Sequence, residues 1–155
     1  MRLLEWLRLR INPPRLEDQD FGLLRFMYIS SVPERSYWEA EWNFPPVGYC
    51  VSIGLPGDIE GPSPESRAFF LSRVSHFDHI ISLVRPRLES VCRQWLGRPL
   101  ASNLWSDVRL TGFGVQDPVF TPVSWEISFE TTGQKWLGIT IPFVGESAQE
   151  AVVDT

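Results

Sequence analysis

Apolar side chains recur along this chain with two periods, and the change of period marks its parts. From Tyr37 to Asn43 they alternate with polar ones: Trp38, Ala40 and Trp42 share one face, Glu39 and Glu41 the other. That is the signature of a strand with one buried side. The same alternation predicts strands over Phe21–Ile29 and Tyr49–Gly54, and short connections between the three make an antiparallel meander. It returns at Val123–Glu130, where Trp125, Ile127 and Phe129 oppose Glu126, Ser128 and Glu130. The turn Thr131–Gln134 leads to Lys135–Phe143, with Leu137, Ile139, Ile141 and Phe143 on one face. Leu104–Val115 reads as a further strand, bulged or bent at Gly112 and Gly114.

Between these groups the period lengthens. Phe70, Val74, Phe77, Ile81, Val84, Leu88, Val91 and Trp95 step by fours and threes, which places them on one helix face. Ser63 is a fitting N-cap, Pro64 a fitting first residue and Gly97 a fitting terminator. Pro86 removes a ladder hydrogen bond, yet the stripe keeps phase across it, so one kinked helix is predicted. The pattern therefore predicts an α+β fold in one domain spanning residues 1–155. Two β-meanders, about six antiparallel strands in all, flank a long helix packed on one face of the sheet. Residues 1–16 read as an arm or short element, helix or strand, stopped by Asn12-Pro13-Pro14, and 145–155 as a loosely held acidic tail.

Composition adds a core and an aromatic surplus. The 155 residues are 43% hydrophobic, which suffices for a packed domain, and include seven Trp and ten Phe. No apolar run approaches the ~20 residues that span a bilayer, and no signal-type segment opens the chain. A cytoplasmic protein without a membrane partner is the expectation, with Cys50 and Cys92 as reduced thiols. Net charge is −5, unevenly spread: residues 1–15 carry +3, 16–66 carry −7, 67–98 carry +4 and 99–155 carry −5. Basic helix and acidic flanks predict ion pairs between layers, and the acidic balance argues against nucleic acid as a partner.

Candidate chemistry is sparse. His76 and His79 lie on different sides of the helical wheel with no third ligand nearby, so no metal site is expected. Arg73 falls inside the apolar arc, where a charge must be paired or reach water; an ion pair to a sheet glutamate is the plain expectation, an anion site the sharper one. Glu39, Glu41, Glu126 and Glu130 occupy wet sheet positions, and two of them across a cleft could act as acid and base on a glycoside. A cysteine nucleophile paired with one of the two histidines is a further candidate. No nucleophile elbow, phosphate loop or dinucleotide fingerprint occurs, and no cofactor is expected. Trp6, Trp105 and Trp136 lack obvious core partners, and exposed aromatics rimmed by acids make a protein-binding patch.

The segments Phe21-Gly22-Leu23-Leu24, Tyr37-Trp38-Glu39-Ala40, the Pro62-Ser63-Pro64 helix start and Trp125–Glu130 follow one another in an order that resembles small bacterial proteins, immunity proteins of polymorphic toxin systems among them. Beside that resemblance, the acidic balance, the aromatic surplus and the missing catalytic set lead to the expectation of a non-catalytic cytoplasmic binding protein of the immunity type that occludes a more basic, toxin-like partner. Arg73, Trp38, Trp42, Glu39, Glu41, Glu126 and Trp136 are then the candidate binding residues. Two other readings stand beside it. One is a small-ligand binder or hydrolase with its site between helix and sheet, using Arg73 and a glutamate. The other is a homodimer paired through spare tryptophans.

Overall fold

The computed structural model describes residues 2–155. It is an α+β protein in which one sheet of ten strands is packed on one side by the helical segment 64–91. Helix α1 is Arg2–Ile11, which resolves the ambiguous start in favour of a helix. Strands β1 (Arg15–Asp18), β2 (Gly22–Met27), β3 (Tyr37–Phe44) and β4 (Tyr49–Asp58) follow as an antiparallel meander, with β5 (Gly61–Pro62) paired to the end of β4. Helices α2 (Pro64–Ser75) and α3 (Phe77–Val91) come next, and a π turn, Cys92–Leu96, closes on Gly97 at φ 68°. Strands β6 (Val108–Val115), β7 (Ser124–Thr131) and β8 (Gly138–Val144) form the second antiparallel group.

Three features depart from the sequence-based expectation. The sheet is mixed: its order is β1-β2-β3-β4-β6-β7-β8-β10, and β4 pairs β6 in parallel. Parallel neighbours need a long crossover, and α2 with α3 supply it. The sheet also exceeds six strands, because β1 and β5 add to it and the supposed tail contributes β9 (Ser147–Ala148) and β10 (Val152–Asp154), both antiparallel to β8. Lastly, the helical region is two helices broken at His76 rather than one bent at Pro86.

The break has a local cause. His76 takes φ −106° and ψ 10°, outside the helical region. Ser75 Oγ lies 3.1 Å and His76 Nδ1 2.9 Å from the Ser72 carbonyl, and both act as donors to it. Side chains that bond the preceding turn compete with the backbone ladder, and here they end it. Pro86 is tolerated because it and Ser82 face solvent, where water can take the freed carbonyl. Ser63 caps α2 as its residue type dictates, its Oγ accepting from the Ser66 amide at 3.1 Å.

The core fills the space between sheet and helices. Trp38, Trp42, Phe44, Val51, Ile53, Trp125, Ile127 and Phe129 meet Phe69, Phe70, Phe77, Val84 and Leu88. An edge-to-face series runs through it, from Phe21 to Trp42 at 5.0 Å, on to Phe44 at 4.9 Å and Phe77 at 5.0 Å. Such contacts fix ring orientation as well as burying area. The middle of the opposite side is uncovered, with Glu41, Ser52 and Glu126 exposed there.

Candidate functional site

Strand alternation settles what the uncovered side presents. With Trp38, Ala40 and Trp42 turned inward, Glu39, Glu41 and Asn43 face out; with Trp125, Ile127 and Phe129 inward, Glu126, Ser128 and Glu130 face out. Register then orders these residues across the sheet. Glu41 stands opposite Ser52, Ser52 beside Gly112, Gly112 opposite Ser128 and Ser128 opposite Thr140. A parallel row holds Glu39 opposite Gly54 and Gly114 opposite Glu126. The result is a floor of serine, threonine and glycine with carboxylates on both sides.

The glycines are structural requirements of that floor. A Cβ on Gly112 would sit 2.4 Å from the Ser52 carbonyl oxygen, so no other residue fits this strand junction. A register shift between Leu110 and Gly112 places the expected bulge here. At Gly114 and Gly54 the space a side chain would take is occupied by neighbours: Glu126 lies over the first, the Tyr37 ring over the second.

Four carboxylates on this face remain outside any ion pair among the described residues. Glu41 accepts a hydrogen bond from Ser52 Oγ at 2.7 Å, and Glu130 one from Trp136 Nε1 at 3.3 Å. Two arginines are in register to neutralise them, Arg25 opposite Glu39 and Arg109 opposite Glu130. Neither pair closes to salt-bridge distance, and the Arg109 guanidinium instead lies 3.8 Å over the Tyr49 ring. Arg15 and Glu17 on β1 and Asp154 on β10 share this side by register, so it carries six carboxylates against three guanidiniums and is acidic. β3 and β7 are three strand spacings apart, which puts the backbones of the two glutamate groups about 14 Å from each other. From these backbones Glu41 leans over Ser52 and Glu126 over Gly114, so both carboxylates reach in over the floor between the strands.

The other candidates fall elsewhere. Trp38 and Trp42 are buried core residues, because they share the inward face with Ala40; neither can touch a partner. Arg73 is half-buried on the helix side, with no carboxylate in contact. Its guanidinium lies between two rings, 4.3 Å over Phe69 and 4.6 Å over Trp125, and its Nη2 donates to Ser72 Oγ at 2.9 Å. Burial pulls its pKa down to about 10, against a smaller upward pull from Glu146. The expected pair with a sheet glutamate does not form, since Glu126 lies on the face opposite its neighbour Trp125. A site combining Arg73 with that glutamate is excluded by the same alternation.

The remaining singled-out residues are dispersed. Trp136 is exposed on the open side, its ring shielding Gly138 and bonded to Glu130. Trp105 lies on the helix side, stacked on Phe77, and borders a cavity of about 350 Å³ with Tyr49, Arg109 and Thr132. Cys50 is exposed and Cys92 buried, both free. Burial above all, and then the nearby Asp107, push the Cys92 thiol up, which works against nucleophilic chemistry there. His76 caps α2 and His79 is exposed. Among the described residues no three His, Cys, Asp or Glu side chains gather as a metal site, and no helix is long and apolar enough to cross a membrane. No family model, curated protein or solved structure matches this chain.

Proposed function

We propose that this chain is a non-catalytic protein-binding protein of the immunity type, and that its uncovered sheet face holds a more basic protein partner by covering it. The observation that supports this reading is the set of unpaired carboxylates, Glu39, Glu41, Glu126 and Glu130, around a flat floor of small residues. Small side chains let a partner approach the backbone closely, and acids held off their in-register arginines keep their charge for an incoming cation. The floor supplies hydroxyls, from Ser52, Ser128 and Thr140, as neutral hydrogen-bonding groups between the charges. Trp136, exposed at one margin next to Glu130, provides an aromatic anchor.

The test is co-purification of the tagged chain with the product of each flanking gene, followed by titration calorimetry on any complex. Reversal of three acids, Glu39→Lys, Glu41→Lys and Glu126→Lys together, is expected to weaken the complex at least 100-fold, with the loss mostly in association rate. Wild-type affinity should fall as salt rises. A complex that forms equally well with the triple variant, or the absence of any complex with a flanking product, defeats the proposal.

A further inference from the structure

Helix α1 stands apart from everything else in the molecule. Stepping 100° per residue, Leu3, Leu7, Ile11 and Leu4 occupy one arc about 100° wide. Leu9 points the opposite way and packs against the core, so that arc is turned outward. The exposures agree: Leu3 is 69% exposed, Leu4 73% and Ile11 79%. A helix of ten residues without tertiary cover over its apolar stripe is too short to persist in water by itself.

The flanks of the arc are basic. On the wheel Arg10 borders it on one side and Arg8 on the other. Beneath the helix, Arg10 and Arg25 both line a cavity of about 550 Å³ whose other polar groups include Tyr28, Ser30 and Ser31. The Arg10 guanidinium lies 5.2 Å over the Trp6 ring, with no carboxylate in ion-pair contact among the described residues. Arg15 stands opposite Arg25 on β1. Against these stand Glu5 on α1, Glu17 on β1 and Glu39 opposite Arg25, while Asp18 on β1 is taken by Arg67; residues 1–15 alone carry +3 in a chain of net charge −5.

We propose that α1 lies in the interface of an anionic lipid bilayer, its leucine arc among the acyl chains and its arginines at the headgroup phosphates. An apolar stripe bordered on both sides by arginines is the layout in which long cationic side chains reach up to the phosphates while the stripe sinks. A second copy of the chain is the weaker occupant on two counts. Ten residues extend only about 15 Å, too little for the roughly 1,200 Å² that a stable interface buries. Pairing α1 with itself would also bring the Arg8 and Arg10 clusters together. No helix among the described residues is long and apolar enough to cross a bilayer, which says nothing against lying on one. Arg15 and Arg25 stand on the sheet side that carries the glutamates, whereas the leucine arc, Arg8 and Arg10 belong to α1, and it is these that the experiment alters.

The experiment is sedimentation of the full chain with vesicles, one set of phosphatidylcholine alone and one with 30% phosphatidylglycerol (~30%, enough to set a negative surface potential). Binding is expected on the anionic vesicles only, weakening as salt rises. Leu7→Glu with Ile11→Glu should abolish it. Arg8→Glu with Arg10→Glu should weaken it at least 25-fold, each arginine contributing about fivefold. Both variants alter solvent-facing positions, and an unchanged unfolding midpoint will show that the body is intact. The triple glutamate reversal on the sheet should bind vesicles at least as well as wild type. No sedimentation, equal binding to neutral vesicles, or full binding by Leu7→Glu/Ile11→Glu overturns the proposal. So does a wild-type dimer in light scattering that this variant makes monomeric.

Discussion

Gly112 is the position at which the two halves of the sheet meet most closely. β4 and β6 are registered through Ser52–Gly112 and Ile53–Phe113 alone, and this short parallel contact joins the first meander to the second. A Cβ at Gly112 would meet the Ser52 carbonyl oxygen at 2.4 Å and its carbonyl carbon at 3.3 Å. Those are backbone atoms of a paired strand, so they cannot swing away as a side-chain tip would. The strands must part by at least 0.6 Å merely to reach the 3.0 Å below which such contacts do not occur. Gly112→Ala is therefore overpacking at an unyielding site, for which the cost is about 1–3 kcal/mol, and the upper end applies here.

For a chain of this length about 3 kcal/mol lowers the melting temperature by roughly 6–12 °C. Urea denaturation followed by tryptophan fluorescence should show the same loss with an unchanged slope, because the surface exposed on unfolding is the same. Gly133→Ala is the matched control: nothing lies within 4 Å of its Cβ, and its φ is not in the left-handed region. It should leave stability within about 1 kcal/mol of wild type. If Gly112→Ala also stays within about 0.5 kcal/mol, the close approach of β4 and β6 is wrong, and with it the flat floor of the candidate docking face.

Two further outcomes follow from the polar groups on the helix side. Asp107 is buried, accepts from Arg98 Nη2 and from the Ala101 amide, both at 2.8 Å, and its pKa is lowered by the Arg98 hydrogen bond foremost. A carboxylate with a depressed folded pKa stabilises above its unfolded value and loses that contribution as pH falls through the folded one, so Asp107→Asn should cost about 1–2 kcal/mol at pH 7 and flatten the stability curve below about pH 4. A curve parallel to wild type through that range in urea titrations would contradict this assignment. Arg73→Ala empties the slot between Phe69 and Trp125 and should cost about 1–2 kcal/mol, whereas Arg73→Met keeps the packing, sheds a desolvated charge and should cost less than half as much. Equal losses for the two variants would show that the charge, rather than the stem, is what the rings hold.

How much of this was legible in the sequence differs by element. The strands around Trp38, Val51, Ile127 and Ile139 were readable because one face of each is dry, which forces period-2 alternation. Ser63, Pro64 and Gly97 were readable because capping and left-handed termination restrict the residue types. The parallel joint of β4 and β6 was missed by treating the helix as a lid on one continuous antiparallel sheet. A strand, a long helical excursion and a strand is more naturally a crossover unit. β9 and β10 escaped because edge strands of two and three residues have no room to show a period. The His76 break depends on side-chain bonds from Ser75 and His76 to one carbonyl, a local competition that leaves the apolar stripe in phase. At the site, the outward glutamates were found by alternation, and the same rule, applied to Trp38 and Trp42, would have removed them from the binding set. Arg73 was placed correctly in the apolar arc, but its aromatic partners come from a helix and a strand that only the tertiary fold brings together.

The distribution of ion pairs separates what net charge alone runs together. Basic helix and acidic flanks predict pairing between layers, and among the described residues only Arg67 fulfils it. That arginine joins Asp18 and, at 2.6 Å, Asp20, fixing α2 to the β1 edge. The Arg93–Glu89 and Arg98–Asp107 pairs are local to the helix end and its following loop. Arg109 is stacked on an aromatic ring and Arg73 between two, so their charges are accommodated without a carboxylate. Glu39, Glu41, Glu126 and Glu130, outside these pairs, stand on the open sheet, and Arg8, Arg10, Arg15 and Arg25 stand at α1 and the nearby β1–β2 edge. A protein that used its charges for internal cohesion would have matched Arg25 with Glu39 and Arg109 with Glu130, since register already places them opposite one another. Leaving those pairs open costs little at the surface, where an exposed pair contributes about 0–1 kcal/mol. What it creates is two external fields of opposite sign on different parts of one small molecule, each next to uncovered surface that can use it.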